Sequence, residues 1–540
     1  MNSSPRKPIT VLFVLTILTG WVLLPSVLVA QARIVDIATD ALDPNNLADT
    51  EPSIAVNPAN NREIAIVAFS ENWGPNAMAP VWKSSDGGVT WRKVLQIPQP
   101  QAGLSGPGDQ KIAFDATGRL FIAELGSGPR DFVYRQTGAA DAALTAGAPY
   151  GDDQPHLGVD TSAGQTCSGR VYSPWLNFGV TREQSTVSWS NNDGVTMNDV
   201  AAGDHSQFPN RTTRIALGPN GVAYIVYKTR EGAVAGVHLP GSAANDFENV
   251  HFRVQRTDDC GQHWNALGTA GTSVHGTATV QTLFTTNFGV TGAGRKVARA
   301  RSSDAWIAVA PSGAVYVAYV QRDTSGFAQV YVAHSTDRGA TWASTRVTDG
   351  THQSGYPEVA VAGNGGVGVL YIDFEDTGTA TNFRHRFARS FDNGMHWTTQ
   401  TLQSMNPGLI ANAGSGFLWG DYEGLTAAGD TFYGVFTGES IGRTTRQLDP
   451  IFFTESAVAA GCRSGTSRDV RCLVNKIPGT RHDVCVNGQW RLGVCRPTIG
   501  CREGQERDVK CIINGRPGFH HDVCRRGEWV IGRCRAGSIP

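Results

Sequence analysis

The 540-residue sequence has few charged residues and no excess of either sign. Charged residues make up 17% of the chain, and its formal net charge is −1. Surfaces that bind nucleic acid or anionic membranes need an excess of Lys and Arg, so the overall composition argues against both partners. Gly is abundant instead, at 63 residues. This balance favours short strands joined by tight turns over helices.

Apolar segments long enough to span a bilayer are missing after residue 32. The first residues have the pattern of an export signal. Arg6-Lys7 precede an apolar run over residues 9–29, and Ala30-Gln31-Ala32 is a small-x-small cleavage site. We therefore predict a signal peptide over residues 1–32 and a secreted, cell-surface or periplasmic protein without a membrane span after cleavage. The rival interpretation is an uncleaved anchor.

Several motifs of cofactor-dependent and hydrolytic enzymes are also missing. The sequence has no P-loop, no dinucleotide-binding fingerprint, no His-Glu-x-x-His and no Gly-x-Ser-x-Gly. Cys-x-x-Cys pairs are absent too, which argues against structural zinc. We therefore expect no cofactor.

Cysteines are present in an even number and are concentrated near the C-terminus, which is typical of a disulfide framework in an exported protein. Eight of the ten form two repeats of identical spacing. Units this short need disulfides to fold, so we predict one Cys-rich repeat over residues 457–497 and another over residues 498–540. Four cysteines allow three pairings. Cys167 and Cys260 are left to pair with each other. The eight repeat cysteines are Cys462, Cys472, Cys485, Cys495, Cys501, Cys511, Cys524 and Cys534.

A turn of the form Ser/Thr-x-Asp-x-Gly-x-x-Trp recurs along the chain. Asp or Asn accepts hydrogen bonds from nearby backbone N–H groups, Gly supplies a positive φ, and Trp packs over the hairpin. We expect these acidic and amide residues to be structural rather than catalytic. They are Asp86, Asn192, Asp259, Asp337 and Asp392.

A second repeat, a hairpin with a polar start, precedes these turns. A hairpin and a further strand pair give four strands per roughly 45–65 residues, which is the blade of a propeller. We predict an all-β propeller of about seven four-stranded blades over residues 33–456, with six as the alternative, followed by two small disulfide-rich β modules. Residues 33–41 should close the ring, and residues 266–297 should form an insertion. The seven hairpins cover residues 51–69, 109–124, 153–178, 209–227, 304–319, 356–374 and 421–436.

The polar hairpin starts are the candidate site, because the innermost strands of a propeller line its channel and ligands meet loops held by a rigid scaffold. The competing interpretation is that these residues cap strands. Tyr356 and Glu358 are two residues apart and should point the same way in an extended strand. The candidate catalytic residues are Asp153, Tyr356, Glu358, Asp421 and Tyr422, and the candidate substrate-binding residues are Glu51, Gln154, His156, Arg211, Arg301, His352 and Trp419.

A Ca²⁺ site is an alternative role for the acidic residues at the hairpin starts. Asp152, Asp153 and Asp421 carry the oxygen ligands that Ca²⁺ prefers, although no contiguous Ca²⁺ loop is present.

The recurrent turn resembles the Asp box, or bacterial neuraminidase repeat, of sialidase-like propellers over about residues 45–456. The resemblance implies an exported glycoside hydrolase that acts on a glycan or glycoconjugate. It also implies three arginines that hold the substrate carboxylate, a Tyr nucleophile assisted by a Glu, and an acidic Asp. The Gly-x-Trp near the last Cys of each repeat resembles a shortened sushi module. That second resemblance implies first-to-third and second-to-fourth disulfide pairing.

One segment departs from the sialidase pattern. Glu51-Pro52-Ser53-Ile54 stands where such enzymes have Phe/Tyr-Arg-Ile-Pro, so an acid replaces the first arginine. The incomplete arginine clamp disfavours sialic acid as the substrate. The alternative function is a non-catalytic glycan-binding or adhesion propeller at the cell surface, and a purely structural surface protein is a third.

Overall fold

The fold is described from a computed structural model. No α-helix occurs in the described residues, which contain one 3-10 turn at Pro219–Gly221. The described residues therefore contain no helix long and apolar enough to cross a membrane. Most of the predicted export signal, residues 1–31, lies outside the described part. The described ranges are 32–39, 41–42, 48–70, 79–97, 108–126, 130–138, 144–203, 210–230, 250–267, 305–322, 328–376, 381–405, 422–443, 446–457, 467–474, 477–486, 489–491, 496–497, 504–513, 516–525, 528–530 and 532–536.

Seven four-stranded antiparallel sheets form the blades of a propeller, which confirms the predicted fold and the count of seven. Strand β1 (Arg33–Asp36) joins the last blade. Blade 1 consists of β2 (Asp49–Val56), β3 (Ile64–Ser70), β4 (Ala79–Ser84) and β5 (Arg92–Ile97). Blade 2 consists of β6 (Gly108–Phe114), β7 (Leu120–Gly126), β8 (Arg130–Gln136) and β9 (Leu144–Ala146). Blade 3 consists of β10 (Gly158–Val159), β11 (Val171–Asn177), β12 (Gln184–Ser190) and β13 (Asn198–Ala201).

The remaining four blades follow the same order. Blade 4 consists of β14 (Asn210–Leu217), β15 (Ala223–Arg230), β16 (Val250–Thr257) and β17 (Asn265–Ala266). Blade 5 consists of β18 (Trp306–Val309), β19 (Val315–Arg322), β20 (Ala328–Ser335) and β21 (Ala343–Arg346). Blade 6 consists of β22 (Gln353–Val361), β23 (Val367–Asp376), β24 (Thr381–Ser390) and β25 (Thr398–Met405). Blade 7 consists of β26 (Gly424–Ala428), β27 (Thr431–Glu439), β28 (Leu448–Ser456) and β1.

The first strand of each blade is the innermost. These seven strands contact one another in a closed ring, in the order β2, β6, β10, β14, β18, β22, β26 and back to β2. Strand β1 closes the ring from outside, because it pairs antiparallel with β28, with Val35 opposite Phe452. The last blade is thus built from both ends of the propeller sequence, as residues 33–41 predicted. Residues 268–297, which are most of the expected insertion, lie outside the described part.

Apolar side chains between neighbouring blades form the core. Val315, Val317 and Val320 are fully buried in β19 and pack with residues of blades 4 and 6. β-branched residues suit such pleated, two-sided surfaces. Burying a side chain of this size stabilises the fold by about 1.5–3 kcal/mol relative to leaving it exposed.

A disulfide joins blades 3 and 4. Cys167 lies between β10 and β11, and Cys260 lies in the turn after β16. Their Cα atoms are 5.2 Å apart. The two cysteines outside the tail therefore pair with each other, as expected.

The C-terminal tail forms two small sheets of four strands each. The first contains β29 (Ser467–Val474), β30 (Ile477–Val486), β31 (Gln489–Arg491) and β32 (Arg496–Pro497). The second contains β33 (Glu506–Ile513), β34 (Arg516–Arg525), β35 (Glu528–Val530) and β36 (Arg535–Ala536). Cys511 and Cys534, the second and fourth cysteines of repeat 2, form a disulfide. Cys524 is also disulfide-bonded. The side chains of Cys462, Cys472, Cys485, Cys495 and Cys501 lie outside the described part.

Candidate functional site

A β-bulge interrupts the start of several innermost strands. The pairing register shifts between Thr50 and Ser53 in β2, and between Gly108 and Lys111 in β6. Equivalent shifts precede Arg214 in β14 and Glu358 in β22. A bulge re-aims side chains and is common beside functional sites. The same distortion therefore recurs where the inner strands enter the channel.

The bulges contain non-glycine residues in the left-handed region of backbone conformation. Glu51 has φ +51°, Asp109 +48°, Gln154 +49° and Tyr356 +53°. Such a conformation is costly for a bulky residue and is found mainly where the surrounding fold imposes it. Regular pairing resumes two residues after Glu51, Asp109 and Tyr356, whereas β10 begins four residues after Gln154. Across the seven starts the third residues are Ser53, Lys111, His156, Arg214, Trp306, Glu358 and Gly424.

Five of these third residues and Tyr422 form what we call the central cluster: Lys111, His156, Arg214, Trp306, Glu358 and Tyr422. The ammonium of Lys111 lies 3.1 Å from the ring centroid of Tyr422 and 4.8 Å from that of Trp306. The guanidinium of Arg214 lies 5.0 Å from the Trp306 ring and 6.0 Å from the Tyr422 ring. His156 meets Trp306 edge to face at 5.2 Å. Six blades, 2 to 7, thus contribute one residue each to a cluster of cations, aromatic rings and the Glu358 carboxyl.

Burial shifts the ionisation of this cluster strongly. Lys111 is 4% exposed, and burial lowers its pKa to about 7, against the opposing effect of the nearby Glu358 carboxyl. Burial also raises the pKa of Glu358 well above its usual range, although Lys111 acts in the opposite direction. The pKa of His156 is held well below its ordinary value by burial and by the charges of Lys111 and Arg214. Near neutral pH, Lys111 is therefore partly neutral, and burial stabilises the acid form of Glu358 relative to that of an exposed carboxyl group.

Glu358 also connects blades 6 and 7. Its Oε1 accepts a hydrogen bond of 3.0 Å from the backbone N–H of Glu423. The Glu423 carboxyl accepts one of 2.7 Å from the backbone N–H of Thr437 and lies 3.5 Å from Nε2 of His385. Burial lowers the pKa of His385 to about 3, so this imidazole is neutral. Both carboxyl groups therefore have fixed positions.

Three of the residues proposed from the sequence converge in the central cluster, namely His156, Glu358 and Tyr422. Glu51 lies close enough for its charge to raise the pKa of Lys111, and so does Asp109. Tyr356 is buried at the bulge before Glu358. The expected two-residue alternation between Tyr356 and Glu358 does not apply, because Tyr356 is left-handed and the register shifts there.

Two other proposed residues, His352 and Asp153, have local contacts. His352 precedes the blade 6 bulge, and its ring contacts Thr351 and Arg384. The Asp153 carboxylate accepts a hydrogen bond of 2.9 Å from the backbone N–H of Gln154. Arg301, Trp419 and Asp421 lie outside the described residues, as does the side chain of Arg211.

An acidic group lies beside the cluster, between blades 2 and 3. Asp131 is fully buried, and burial raises its pKa well above its usual range, with further increases from the charges of Asp153, Asp109 and Asp152. Within the described residues, no group of three acidic, His or Cys side chains is placed to hold a metal ion. Asp421, the third suggested Ca²⁺ ligand, lies outside them.

Each recurrent turn joins the third and fourth strands of its blade. Because successive strands run in opposite directions, these turns lie at the end of the blade opposite to the start of the innermost strand. Asp86 accepts hydrogen bonds from Ser84 Oγ at 2.8 Å, from the Thr90 N–H at 2.9 Å and from Thr90 Oγ1 at 2.6 Å. These bonds, led by that of Thr90, hold its pKa well below the usual range. Asn192, Asp259, Asp337 and Asp392 accept bonds from the residues two before and four after them in the same way.

Lys111, Arg214 and Trp306 were missed from the sequence. Aligning the seven hairpin starts with one another would have identified these residues, because each occupies the third position of its start. Arg211 was proposed in place of Arg214, three residues further on.

Comparisons with known proteins add no family assignment. No family model matches the sequence, and no curated protein matches it. Among solved structures, an ulvan lyase of polysaccharide lyase family PL25 aligns with 77% of this chain and 95% of its own, at 11% identity and a TM-score of 0.46. The endosialidase of phage phi92 aligns with 94% and 88%, at 9% identity and 0.43. An α-L-arabinanase of Penicillium chrysogenum aligns with 79% and 99%, at 13% identity and 0.38. At these values, the likenesses carry no argument about what this chain does.

Proposed function

We propose that the protein is an exported enzyme that hydrolyses glycosidic bonds in an anionic glycan at the central cluster. One observation carries the proposal: two cations, Lys111 and Arg214, lie against the same two aromatic rings. Among the described residues, Lys111 has no carboxylate within salt-bridge distance. A buried charge without an ion-pair partner is costly, so an anionic ligand would stabilise it.

The substrate class follows from the side chains. Arg and Lys recognise carboxylate and sulfate groups, and aromatic faces suit the apolar face of a sugar ring. A glycan that carries uronate or sulfate groups combines both features. Sialic acid remains disfavoured, because Ser53 and Glu51 stand where the first arginine of a sialidase is expected.

The proposed chemistry uses the raised pKa of Glu358. A carboxyl group kept in its acid form by burial is a usual general acid of a hydrolytic site. Glu358, in its acid form, donates its proton to the glycosidic oxygen as the bond from that oxygen to the anomeric carbon breaks. A water molecule adds to the anomeric carbon and releases its proton to solvent, so that Lys111 stays protonated against the anionic group of the substrate.

The test is turnover of short oligosaccharides that carry one uronate or sulfate, with neutral analogues as controls. Glu358→Gln keeps the oxygen that accepts the Glu423 N–H but cannot supply a proton, so turnover should fall at least 100-fold while binding persists. Lys83→Met is the matched control, because Lys83 is also buried but is paired with Glu63 at 2.7 Å in blade 1. Turnover by Glu358→Gln at the wild-type rate, or an unsaturated product of elimination, would contradict the proposed hydrolysis.

A non-catalytic glycan-binding propeller is the second candidate. It is favoured by the backbone hydrogen bonds that occupy Glu358 and Glu423, since these carboxyl groups already join blades 6 and 7. Saturable binding of the anionic oligosaccharides without any product would establish this alternative.

A further inference from the structure

The near-neutral net charge of the chain conceals a strong asymmetry. Residues 462–540 hold 15 of the 46 Lys and Arg residues but only 7 of the 47 Asp and Glu residues, a net charge of +8. The preceding 461 residues carry −9. A basic segment of this density attracts polyanions at long range. The tail is therefore electrostatically distinct from the propeller.

The second tail module arranges basic residues across one face of its sheet. Lys510 in β33 lies opposite Phe519 in β34, and Phe519 lies opposite Arg535 in β36. Directly opposed residues share a face of a sheet. Neighbouring strands are about 4.8 Å apart, so the backbone positions of Lys510 and Arg535 are about 10 Å apart, with that of Phe519 between them. Lys510 and Arg535 are exposed, and Phe519 is half-buried.

The first module repeats the same row. Arg471 in β29 lies opposite Thr480 in β30, and Thr480 lies opposite Arg496 in β32. Arg471 and Arg496 thus occupy the register positions that Lys510 and Arg535 hold in the second module. We call Arg471, Arg496, Lys510 and Arg535 the basic rows. Their recurrence at one register position in both modules goes beyond a general excess of positive charge.

The carboxylates of the second module whose side chains are described, those of Glu506, Asp508 and Asp522, contact His or Arg side chains of the same module. Asp508 lies 2.7 Å from His521 Nδ1, and Glu506 lies 3.3 Å from Nε2 of the same ring. Asp522 pairs with Arg507 at 3.1 Å and also contacts His520. Among the described residues, Lys510 and Arg535 have no such partner. Their positive charge is available to a ligand.

We infer that the basic rows of the tail bind an anionic polysaccharide, at a site separate from the central cluster. Basic residues that recur at the same register positions match a polymer with repeated sulfate or carboxylate groups, and Phe519 lies between Lys510 and Arg535 in the second module. The disulfides of this module indicate an oxidising, extracytoplasmic compartment, where polysaccharides rather than nucleic acids are the abundant polyanions. Binding to such a polymer weakens steeply with salt, because bound counterions are released.

The test measures the affinity of the full chain for dextran sulfate at several salt concentrations, with unsulfated dextran and double-stranded DNA of similar length as comparisons. Replacing the four cations of the basic rows by Gln should weaken dextran sulfate binding at least tenfold and flatten the salt dependence. The variant Arg62→Gln/Arg338→Gln removes two exposed positive charges from the propeller and should change the affinity less than twofold. Lys510→Arg/Arg535→Lys keeps the charges and should bind like the wild type.

Each alternative result decides against the inference. A free-thiol assay checks that the tail of the four-Gln variant has formed its disulfides. If that tail is intact and the affinity for dextran sulfate is unchanged, the inference is wrong. Equal binding of unsulfated dextran would remove the electrostatic basis, and tighter binding of DNA than of dextran sulfate would assign the tail to nucleic acid. Short oligosaccharide turnover at the central cluster should be unaffected by the four-Gln variant.

Discussion

Lys111 of blade 2 and Tyr422 of blade 7 are in contact across the mouth of the channel, on either side of blade 1. The ammonium is 3.1 Å from the ring centroid, and the Tyr422 hydroxyl donates a hydrogen bond of 3.4 Å to the backbone carbonyl of Gln110, next to Lys111. Blades that are not neighbours are thereby joined by both a cation–π contact and a hydrogen bond. This pair fixes the position of the cation that we propose meets the anionic glycan.

Tyr422→Leu tests this contact. A desolvated cation–π interaction contributes about 2 kcal/mol. We expect Tyr422→Leu to reduce the affinity for a uronate-bearing oligosaccharide about tenfold or more, because Lys111 is no longer held in place. Combined with Lys111→Met in a double-mutant cycle measured by calorimetry, the two effects should be less than additive. Fully additive effects would show that the two residues act independently.

The affinity for an anionic oligosaccharide should fall as pH rises through about 7. Lys111 has a lowered pKa of about 7, so it is cationic below that pH and neutral above it. The bound anion favours the cation, and binding therefore takes up a proton, with a loss of up to about tenfold in affinity per pH unit above 7. Titrations between pH 6 and pH 8.5 would check this. Lys111→Arg, which stays charged, should abolish the dependence, and an unchanged profile in that variant would contradict it.

The recurrent turns should affect stability without affecting the site. Asp337→Ala removes hydrogen bonds from Ser335, from the Thr341 N–H and from its hydroxyl. The turn is exposed, so we expect a loss of about 1–2 kcal/mol in the free energy of unfolding, measured with denaturant. Affinity for the oligosaccharide should change less than twofold, because the turn lies at the opposite end of blade 5. A large loss of binding would assign these residues a functional role.

The disulfide between Cys167 and Cys260 should be a major stabiliser of the propeller. It closes a segment with a sequence separation of 93 residues, for which chain entropy gives about 4.6 kcal/mol. Replacing both cysteines by Ala should lower the denaturant midpoint of the propeller accordingly. The matched variant Cys511→Ala/Cys534→Ala should leave that midpoint unchanged, because its disulfide lies in the tail. If both variants lowered the denaturant midpoint of the propeller equally, the assignment of one disulfide to the propeller and the other to the tail would be wrong.

Much of the fold could be predicted because the repeats are local. The alternating strands, the Asp turns and the seven polar starts are each visible within a few residues, and together they predict seven blades. The closing role of residues 33–41 also followed, since a ring needs its last blade completed. These features depend on turn chemistry and hydrophobic alternation, which are written directly in the sequence.

The central cluster was only partly predictable, because its geometry depends on the bulges. Positive φ values at Glu51, Asp109 and Tyr356 are imposed by the fold on residue types that rarely adopt them, so composition gives no indication of them. The bulges in β6, β14 and β22 directly precede three members of the cluster, Lys111, Arg214 and Glu358. Contacts such as that between Lys111 and Tyr422 join residues more than 300 positions apart and arise only when the ring closes.

The most direct test of the account is a calorimetric titration of the full chain with a short, singly charged uronate oligosaccharide and its neutral analogue at pH 6. We predict that the charged sugar binds at least tenfold more tightly than the neutral one, and that Lys111→Met abolishes this preference while Lys83→Met retains it. Equal affinity for the two sugars, or a preference that survives Lys111→Met, would contradict the assignment of the central cluster as an anionic glycan site.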